Sequence, residues 1–411
     1  RALVHAGRGE AAARRRPRMR GRSLLVASQV ALTVTLCAAA GLLLRSFLRL
    51  TTVPMGFNPN GVLAFELDMP QARYANNAAR GQLLGRAAAA LAALPGARGV
   101  AAVSFPPLAG EAQTGYALPG KPLKPLDDSQ TVGYNAVGAD YFHLLNIPVL
   151  AGRGFLPSDT AQAPPVTVIS ARAARQLFAG RSPIGQRIRY SFGQQPWRTV
   201  VGIVGDVRSS VPDEPSPADA TAYVPLAQSW VSPGLTVLVR TAAPPTSLIP
   251  AARHAIAGLD SQMPLIAPMP LSDMYRSALA PPRFRSLVVV GFAGLALLLS
   301  AVGLFGLLSY AVAGRRRELG VRTALGAQPR RIVALVVGQA ALPLAIGIAA
   351  GLAAAWAVAG WLAHLLFGIG PLDPASLAAA ALLMAFTGGL AAWLPARRAL
   401  ALDPADVLRC E

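Results

Sequence analysis

The chain has 411 residues, of which 53% are hydrophobic, and a formal net charge of +19. Its mean hydropathy of +0.44 is too high for an ordinary soluble domain and is typical of a membrane protein with a soluble part. Residues 1–22 hold eight arginines and one glutamate, whereas residues 55–282 hold 17 basic and 13 acidic residues; this argues against a nucleic-acid-binding protein, whose basic residues gather on a folded face.

Four stretches lack Asp, Glu, Lys and Arg, and each is longer than the roughly 20 residues that cross a bilayer as a helix. They are residues 23–44, 286–313, 332–369 and 375–396. The sequence therefore predicts an arginine-rich linker over residues 1–22 and four transmembrane helices. We place these helices, called spans 1 to 4, at residues 23–50, 283–313, 332–367 and 375–396.

Residues 51–282 separate span 1 from span 2 and have the composition of a folded domain, long enough for one large or two small units. Strand-like and helix-like runs alternate there, which predicts an α/β or α+β domain. The strands are expected at residues 62–67, 100–104, 132–137, 166–170, 198–204, 221–225 and 235–240, and the helices at 76–94, 139–145, 171–178 and 247–259.

This domain shows no pattern of a catalytic or cofactor site. Residues Gly115 to Lys121 fit the start of a phosphate-binding loop, but Pro122 stands where a magnesium-binding hydroxyl is needed. The four histidines share no metal-ligand spacing. We therefore expect no enzyme activity, no cofactor and no metal site in this chain.

Basic clusters set the expected orientation in the membrane. The arginines of residues 1–22, 314–331 and 397–411 predict that these segments are cytoplasmic, which places residues 51–282 and the loop 368–374 outside. Arg45, Arg49, Arg283 and Arg285 are exceptions at span ends, where long side chains extend to the interface. The expected fold is thus a membrane α-helical protein with four transmembrane helices in a 1+3 arrangement and a large extracytoplasmic α/β (α+β) domain.

The cores of the spans contain no Asp, Glu, Lys or Arg, which proton-coupled carriers and ion channels usually place there. They are rich in small residues instead, and Gly347 with Gly351 forms a GxxxG pair. Such a pair lets two helix backbones approach closely. Packing within one chain and contact between two copies are equally compatible with it.

The loop between spans 2 and 3 has both charges and apolar residues. Residues 315–327 read as a short helix that ends at a glycine, and Pro329 suits the first turn of span 3. Topology alone requires only the arginines, so the apolar positions predict a docking helix for a cytosolic partner. The expected contact residues are Arg317, Glu318, Leu319, Gly320, Arg322, Ala324, Leu325, Gly326 and Ala327.

Several motifs resemble those of MacB/FtsX-type ABC transporter permeases. The loop RRRELGVRTALGAQPRRI resembles their cytosolic coupling helix, and LPARRALALDPADVLRCE resembles their C-terminal signature. The connection HLLFGIGPLDP resembles that between their last two spans, and ADYFHLLNIPVLAGRGF resembles part of a MacB-like periplasmic core domain. The resemblance covers essentially the whole chain after residue 20, and residues 1–22 resemble the linker before the second half of duplicated orphan permeases.

The resemblance implies a permease in the bacterial inner membrane that transmits the ATP-driven motion of a separate cytosolic ABC ATPase to the extracytoplasmic domain, for export or envelope transport. It also implies a second permease unit, either another copy or an upstream repeat of the same chain, and an extracytoplasmic adaptor. The alternative is a membrane-anchored regulator that activates a cell-envelope enzyme. No nucleic-acid partner is expected.

Overall fold

The structure is a computed structural model that describes residues 3–52, 54–70, 72–120, 131–191, 195–209, 220–229, 234–313, 329–362, 366, 369–370 and 372–400. The chain divides into two compact units. The helical unit comprises Arg1–Thr52 and Pro282–Glu411, and the sheet unit comprises Val53–Pro281.

The elements of the described residues follow in chain order. The helices are α1 (Leu3–Thr52), α2 (Asn77–Ala92), α3 (Tyr141–Leu144), α4 (Ala171–Phe178), α5 (Ile249–Ala257), α6 (Leu271–Ala278), α7 (Ala280–Ala313), α8 (Pro329–Leu362) and α9 (Pro374–Leu400). The strands are β1 (Val62–Asp68), β2 (Ala97–Val103), β3 (Ala112–Thr114), β4 (Tyr116–Ala117), β5 (Val132–Val137), β6 (Val149–Gly152), β7 (Val166–Ser170), β8 (Arg187–Tyr190), β9 (Arg198–Val204), β10 (Thr221–Pro225), β11 (Gly234–Thr241) and β12 (Leu265–Pro270).

Helices α1, α7, α8 and α9 are candidate membrane spans by length and composition, with apolar segments of 30, 31, 21 and 20 residues. They correspond to the predicted spans 1 to 4. The described part of α1 begins at Leu3, within the predicted linker, and the described part of α8 ends at Leu362. Because α8 continues through Pro343, the third span is one helix.

The sheet unit is built on one mixed sheet, with 12 strands in the described residues. Its main path runs β12-β1-β11-β2-β5-β10-β7-β9-β8-β4, with β3 beside β5 and β6 beside β9. Strands β5 and β10 pair in parallel, as do β7 and β9, whereas the other pairs are antiparallel. This mixed topology is the α/β (α+β) class that the sequence predicts.

Two of the three hydrophobic clusters in the described part of the sheet unit lie on opposite faces of β1. Leu63 and Phe65 pack against α2 and α5, while Val62 and Ala64 face a second cluster that contains Tyr141 of α3. Burying each such large apolar side chain stabilises the fold by about 1.5–3 kcal/mol. Burial on two faces explains why residues 62–65, the first half of β1, are all apolar.

Candidate functional site in the helical unit

The residues predicted to contact a cytosolic ATPase belong to the segment between α7 and α8. All of them, Arg317, Glu318, Leu319, Gly320, Arg322, Ala324, Leu325, Gly326 and Ala327, lie outside the described residues. The coupling helix therefore stays a prediction. Its two flanks are described, since α7 ends at Ala313 and α8 begins at Pro329.

Helix α1 is the most enclosed of the four long helices. Of its most apolar stretch 44% is buried, against 17% for α7, 22% for α8 and 33% for α9. Val30, Val34 and Ala38 are fully buried and belong to two clusters to which all four helices contribute. Apolar side chains of α1 thus fill the centre of the described bundle.

Gly347 and Gly351 of α8 pack against α1. A Cβ atom built on Gly347 would lie 2.6 Å from the Cβ atom of Val30, and one built on Gly351 would lie 2.6 Å from the carbonyl oxygen of Ala31 and 2.7 Å from the Cβ atom of Val34. Only glycine permits so close an approach. Of the two interpretations of the GxxxG pair, the structure shows packing within the chain.

Hydroxyl groups also join α1 to its neighbours. The Thr33 and Ser300 hydroxyl oxygens lie 2.6 Å apart, linking α1 to α7. The Thr35 hydroxyl donates to the carbonyl oxygen of Gly351 at 3.1 Å, and the Ser286 hydroxyl donates to that of Leu43 at 3.3 Å. In a membrane such contacts contribute on average about 0.6 kcal/mol each. These hydroxyl contacts were not predicted from the sequence, where their only signal is a position inside apolar spans.

Helix α7 leaves most of its surface uncovered, and a groove of about 360 Å³ lies between α7 and α9. The groove is apolar except for one threonine hydroxyl. It is lined by Ala301, Val302, Phe305, Phe386, Thr387, Leu390 and Ala391. Parts of α7 and α9 are thus separated by open space, unlike the closely packed α1 and α8.

Aromatic side chains mark the ends of two spans. Trp361, near the end of α8, is 87% exposed. At the far end of α9, the Arg397 guanidinium lies 4.6 Å from the centre of the Trp393 ring. Tryptophan and arginine are enriched where spans meet the membrane surface, so these positions are consistent with the predicted membrane boundaries.

The sheet unit holds a fully buried arginine. The guanidinium of Arg198 donates to both the side-chain and the backbone oxygen of Gln228, at 3.2 and 2.7 Å, and to Oε1 of Gln195 at 3.1 Å. Burial lowers the pKa of Arg198. Its contacts attach β9 to the turn after β10, which is a structural role.

An ion pair with two hydrogen bonds fixes the loop after β6. Arg153 donates to both carboxylate oxygens of Asp159 at 2.8 and 2.9 Å, and the backbone N–H of Leu156 adds a third bond. The hydrogen bonding from Arg153 contributes most to lowering the pKa of Asp159, and the bond from the Leu156 N–H adds to it.

Among the described residues, no group of three or more His, Cys, Asp and Glu side chains is placed to hold a metal ion.

Two family models match the chain. The MacB-like periplasmic core domain matches residues 23–259, and the FtsX-like permease C-terminal domain matches residues 290–404. The second match includes the predicted coupling segment and α8.

The chain is also similar to curated proteins. It is 28% identical over 296 residues to the pyoverdine export ATP-binding/permease protein PvdT of Pseudomonas aeruginosa, covering 69% of this chain and 42% of that protein. It is 27% identical over 293 residues to the macrolide export ATP-binding/permease protein MacB of Salmonella typhimurium, covering 68% and 44%. The chain thus spans less than half the length of these relatives. A crystal structure of the periplasmic region of MacB from Actinobacillus actinomycetemcomitans matches 56% of this chain and 97% of that one, with 13% identity and a TM-score of 0.37.

Proposed function

The chain belongs to the family of MacB/FtsX-type ABC transporter permeases, and we propose that it transmits force across the membrane without forming a solute pathway itself. An ABC ATPase on the cytoplasmic side moves the segment between α7 and α8, and the helices carry that motion to the sheet unit. The sheet unit then acts on a substrate or partner that is already outside the membrane.

The filled centre of the helical unit carries this proposal. Val30, Val34 and Ala38 occupy the middle of the bundle without exposed surface. A solute pathway would require a polar or ionisable lining, whereas residues 23–44, 286–313, 332–369 and 375–396 contain no Asp, Glu, Lys or Arg. A closely packed bundle transmits displacement, because interiors at crystal-like density have low compressibility.

The membrane orientation is part of the proposal. The arginines around residues 1–22, 314–331 and 397–411 favour a cytoplasmic location for these segments in a bacterial inner membrane. We further propose that two permease units act together and that an extracytoplasmic adaptor contacts the sheet unit. PvdT and MacB are named as exporters of pyoverdine and macrolides, and export of a substrate from the envelope is the corresponding activity here.

The decisive residue of the coupling segment is Leu325. We expect Leu325→Asp to abolish stimulation of ATP hydrolysis by the ABC ATPase that co-purifies with the chain, measured in proteoliposomes of phosphatidylethanolamine and phosphatidylglycerol. A buried charge at a docking surface costs several kcal/mol, on the order of the total binding energy of a weak interface. Leu325→Ile is the matched control and should retain stimulation.

Two results contradict the proposal. The first is full stimulation by the Leu325→Asp variant when its membrane insertion equals that of the parent. The second is chemical labelling that places residues 55–282 and 315–331 on the same side of the membrane. In that case the helices have no motion to transmit from one side of the membrane to the other.

A further inference from the structure

Arg45 of α1 is one of the arginines that the positive-inside rule does not explain. In the structure its guanidinium donates to Oδ2 of Asp373, which lies just before α9. The carboxylate is largely enclosed, with 15% of the side chain exposed, while 43% of the Arg45 side chain is exposed. The ion pair therefore joins the first and last long helices, which are more than 300 residues apart in sequence.

The same carboxylate begins α9. Oδ2 of Asp373 accepts hydrogen bonds from the backbone N–H and the hydroxyl of Ser376, at 3.0 and 2.7 Å. These bonds and the Arg45 guanidinium lower the pKa of Asp373, so the group is ionised at neutral pH. Ser376 in turn faces Gly41 of α1, since a Cβ atom built on Gly41 would lie 3.6 Å from the Cβ atom of Ser376. Arg45, Asp373 and Ser376 thus make one contact site between α1 and α9, which we name the latch.

Helices α1, α8 and α9 also interlock below the latch. Gly347 and Gly351 bring α8 against α1, and a Cβ atom on Gly388 of α9 would lie 3.0 Å from the side chain of Leu344 of α8. Helix α7 differs, because only 17% of its apolar stretch is buried and a groove separates part of it from α9. Its polar links to α1 are the contact between the Thr33 and Ser300 hydroxyls and the bonds from Thr33 to the carbonyl oxygen of Ala296 and from Ser286 to that of Leu43.

We propose that the latch fixes α1 to the α8–α9 pair as one rigid body, and that the transmitting motion occurs between this body and α7. The inference rests on the proposed function and specifies which helices move. The chain enters the sheet unit from α1 and leaves it into α7. A displacement of α7 relative to α1 therefore acts on both ends of that unit.

Reversible disulfides test the assignment, in a chain with the substitutions Cys37→Ala and Cys410→Ser. The pair Gly41→Cys with Ser376→Cys replaces the latch by a covalent bond, because Cβ atoms about 3.5–4.5 Å apart suit a disulfide. The pair Thr33→Cys with Ser300→Cys links α7 to α1. Stimulated ATP hydrolysis is measured in the proteoliposomes described above, before and after reduction with dithiothreitol.

The proposal expects Arg45→Ala to lower stimulation by about 1.4- to fivefold, the range for the loss of one partly exposed ion pair. Oxidation of the 41/376 pair should restore stimulation to the Arg45→Ala chain, and reduction should remove it again. Oxidation of the 33/300 pair should abolish stimulation reversibly. The 33/300 pair separates this role from a merely stabilising one, which predicts that linking α7 to α1 leaves stimulation unchanged.

Loss of stimulation on oxidation of the 41/376 pair would overturn the proposal, because α1 and α9 would then have to separate. Full stimulation with the 33/300 pair oxidised would overturn it as well. If even the parent chain stimulates no ATPase, the proposed function fails, and the latch is judged by disulfide formation in membranes. There the 41/376 pair should form its disulfide about 1.4- to fivefold faster with Arg45 present than with Arg45→Ala, and equal rates refute the latch.

Discussion

Replacing Gly351 by alanine tests the close contact between α8 and α1. The added methyl group would lie 2.6 Å from the carbonyl oxygen of Ala31 and 2.7 Å from the Cβ atom of Val34. Neither atom moves without displacing helix backbone, and overpacking of this kind costs about 1–3 kcal/mol. Alanine regains about 0.5–1 kcal/mol of helix propensity over glycine, which leaves a net loss of up to about 2.5 kcal/mol, or up to about a seventyfold shift of the unfolding equilibrium.

Gly338 in the same helix provides the matched control. A Cβ atom built there meets nothing within 4 Å. Gly338→Ala should therefore show only the propensity gain and stabilise the chain, so the two substitutions have opposite signs. The assay is dodecyl sulfate-induced unfolding of the purified chain in maltoside micelles, followed by tryptophan fluorescence.

The reasoning fails if Gly351→Ala unfolds at the same dodecyl sulfate fraction as Gly338→Ala, or at a higher one. Such a result would mean that α8 and α1 do not approach as closely as the structure shows. The GxxxG pair would then be available for contact between two copies. Cross-linking of the parent chain in membranes would show whether Gly351→Ala weakens that contact instead.

Three further predictions concern single side chains, each measured as unfolding of the purified chain in detergent. Arg198→Ala should destabilise the sheet unit by about 3–5 kcal/mol, because it leaves a cavity and buried acceptors without a donor, whereas the exposed Arg187→Ala should change stability by less than about 0.5 kcal/mol. Because the pKa of Asp159 is lowered by folding, its carboxylate stabilises the fold at pH values above the unfolded-state pKa of about 3.9, and this contribution is lost as the pH falls through the folded-state pKa. The Asp159→Asn variant should therefore lose less stability than the parent chain between pH 5 and pH 3. Thr33→Val should cost about 0.6 kcal/mol, the typical value of one hydroxyl contact in a membrane, and a cost above about 2 kcal/mol would contradict the weak link between α1 and α7.

The elements that the sequence predicted well are those whose pattern is decided locally. The strands at 132–137, 166–170, 198–204 and 221–225 have the predicted bounds. Residues 166–170 and 198–204 are mostly β-branched, which favours a strand. The four long helices were recognised from uninterrupted apolar runs. Buried segments of this kind have few alternatives, so their type follows from composition.

The strands that the sequence missed depend on partners elsewhere in the chain. Strand β12 contains Pro268 and Pro270, which argue against a strand, yet β12 lies at one end of the sheet path, beside β1. Proline is tolerated on an edge strand because its missing N–H removes no bond from a central ladder. Strand β6 is exposed along its whole length, so it shows no alternating pattern. Pairing with β9 defines it, and that pairing is not visible in the local sequence.

Only part of the candidate site could be predicted, because its contacts also join residues that are far apart in the sequence. The spacing of Gly347 and Gly351 predicts a close helix contact but not its partner, and only the fold identifies α1. From the sequence, Arg45 was an exception to the topology rule, and the loop 368–374 was only the connection between spans 3 and 4. The pairing of Arg45 with Asp373 explains both features, but it links positions that no local pattern connects.

Helix α1 contacts α8 more tightly than it contacts α7, and this difference indicates which helix can move. Sliding α8 along α1 moves the glycines away from Ala31 and Val34, and larger side chains then meet the same backbone atoms at distances that only glycine tolerates. The Thr33–Ser300 contact between α1 and α7 is worth about 0.6 kcal/mol, close to thermal energy, and either hydroxyl can turn to a carbonyl of its own helix during a shift. A force applied to the segment between α7 and α8 therefore does not shift α8 along α1, and it displaces α7 instead. The resulting motion is one of α7 against the other three helices.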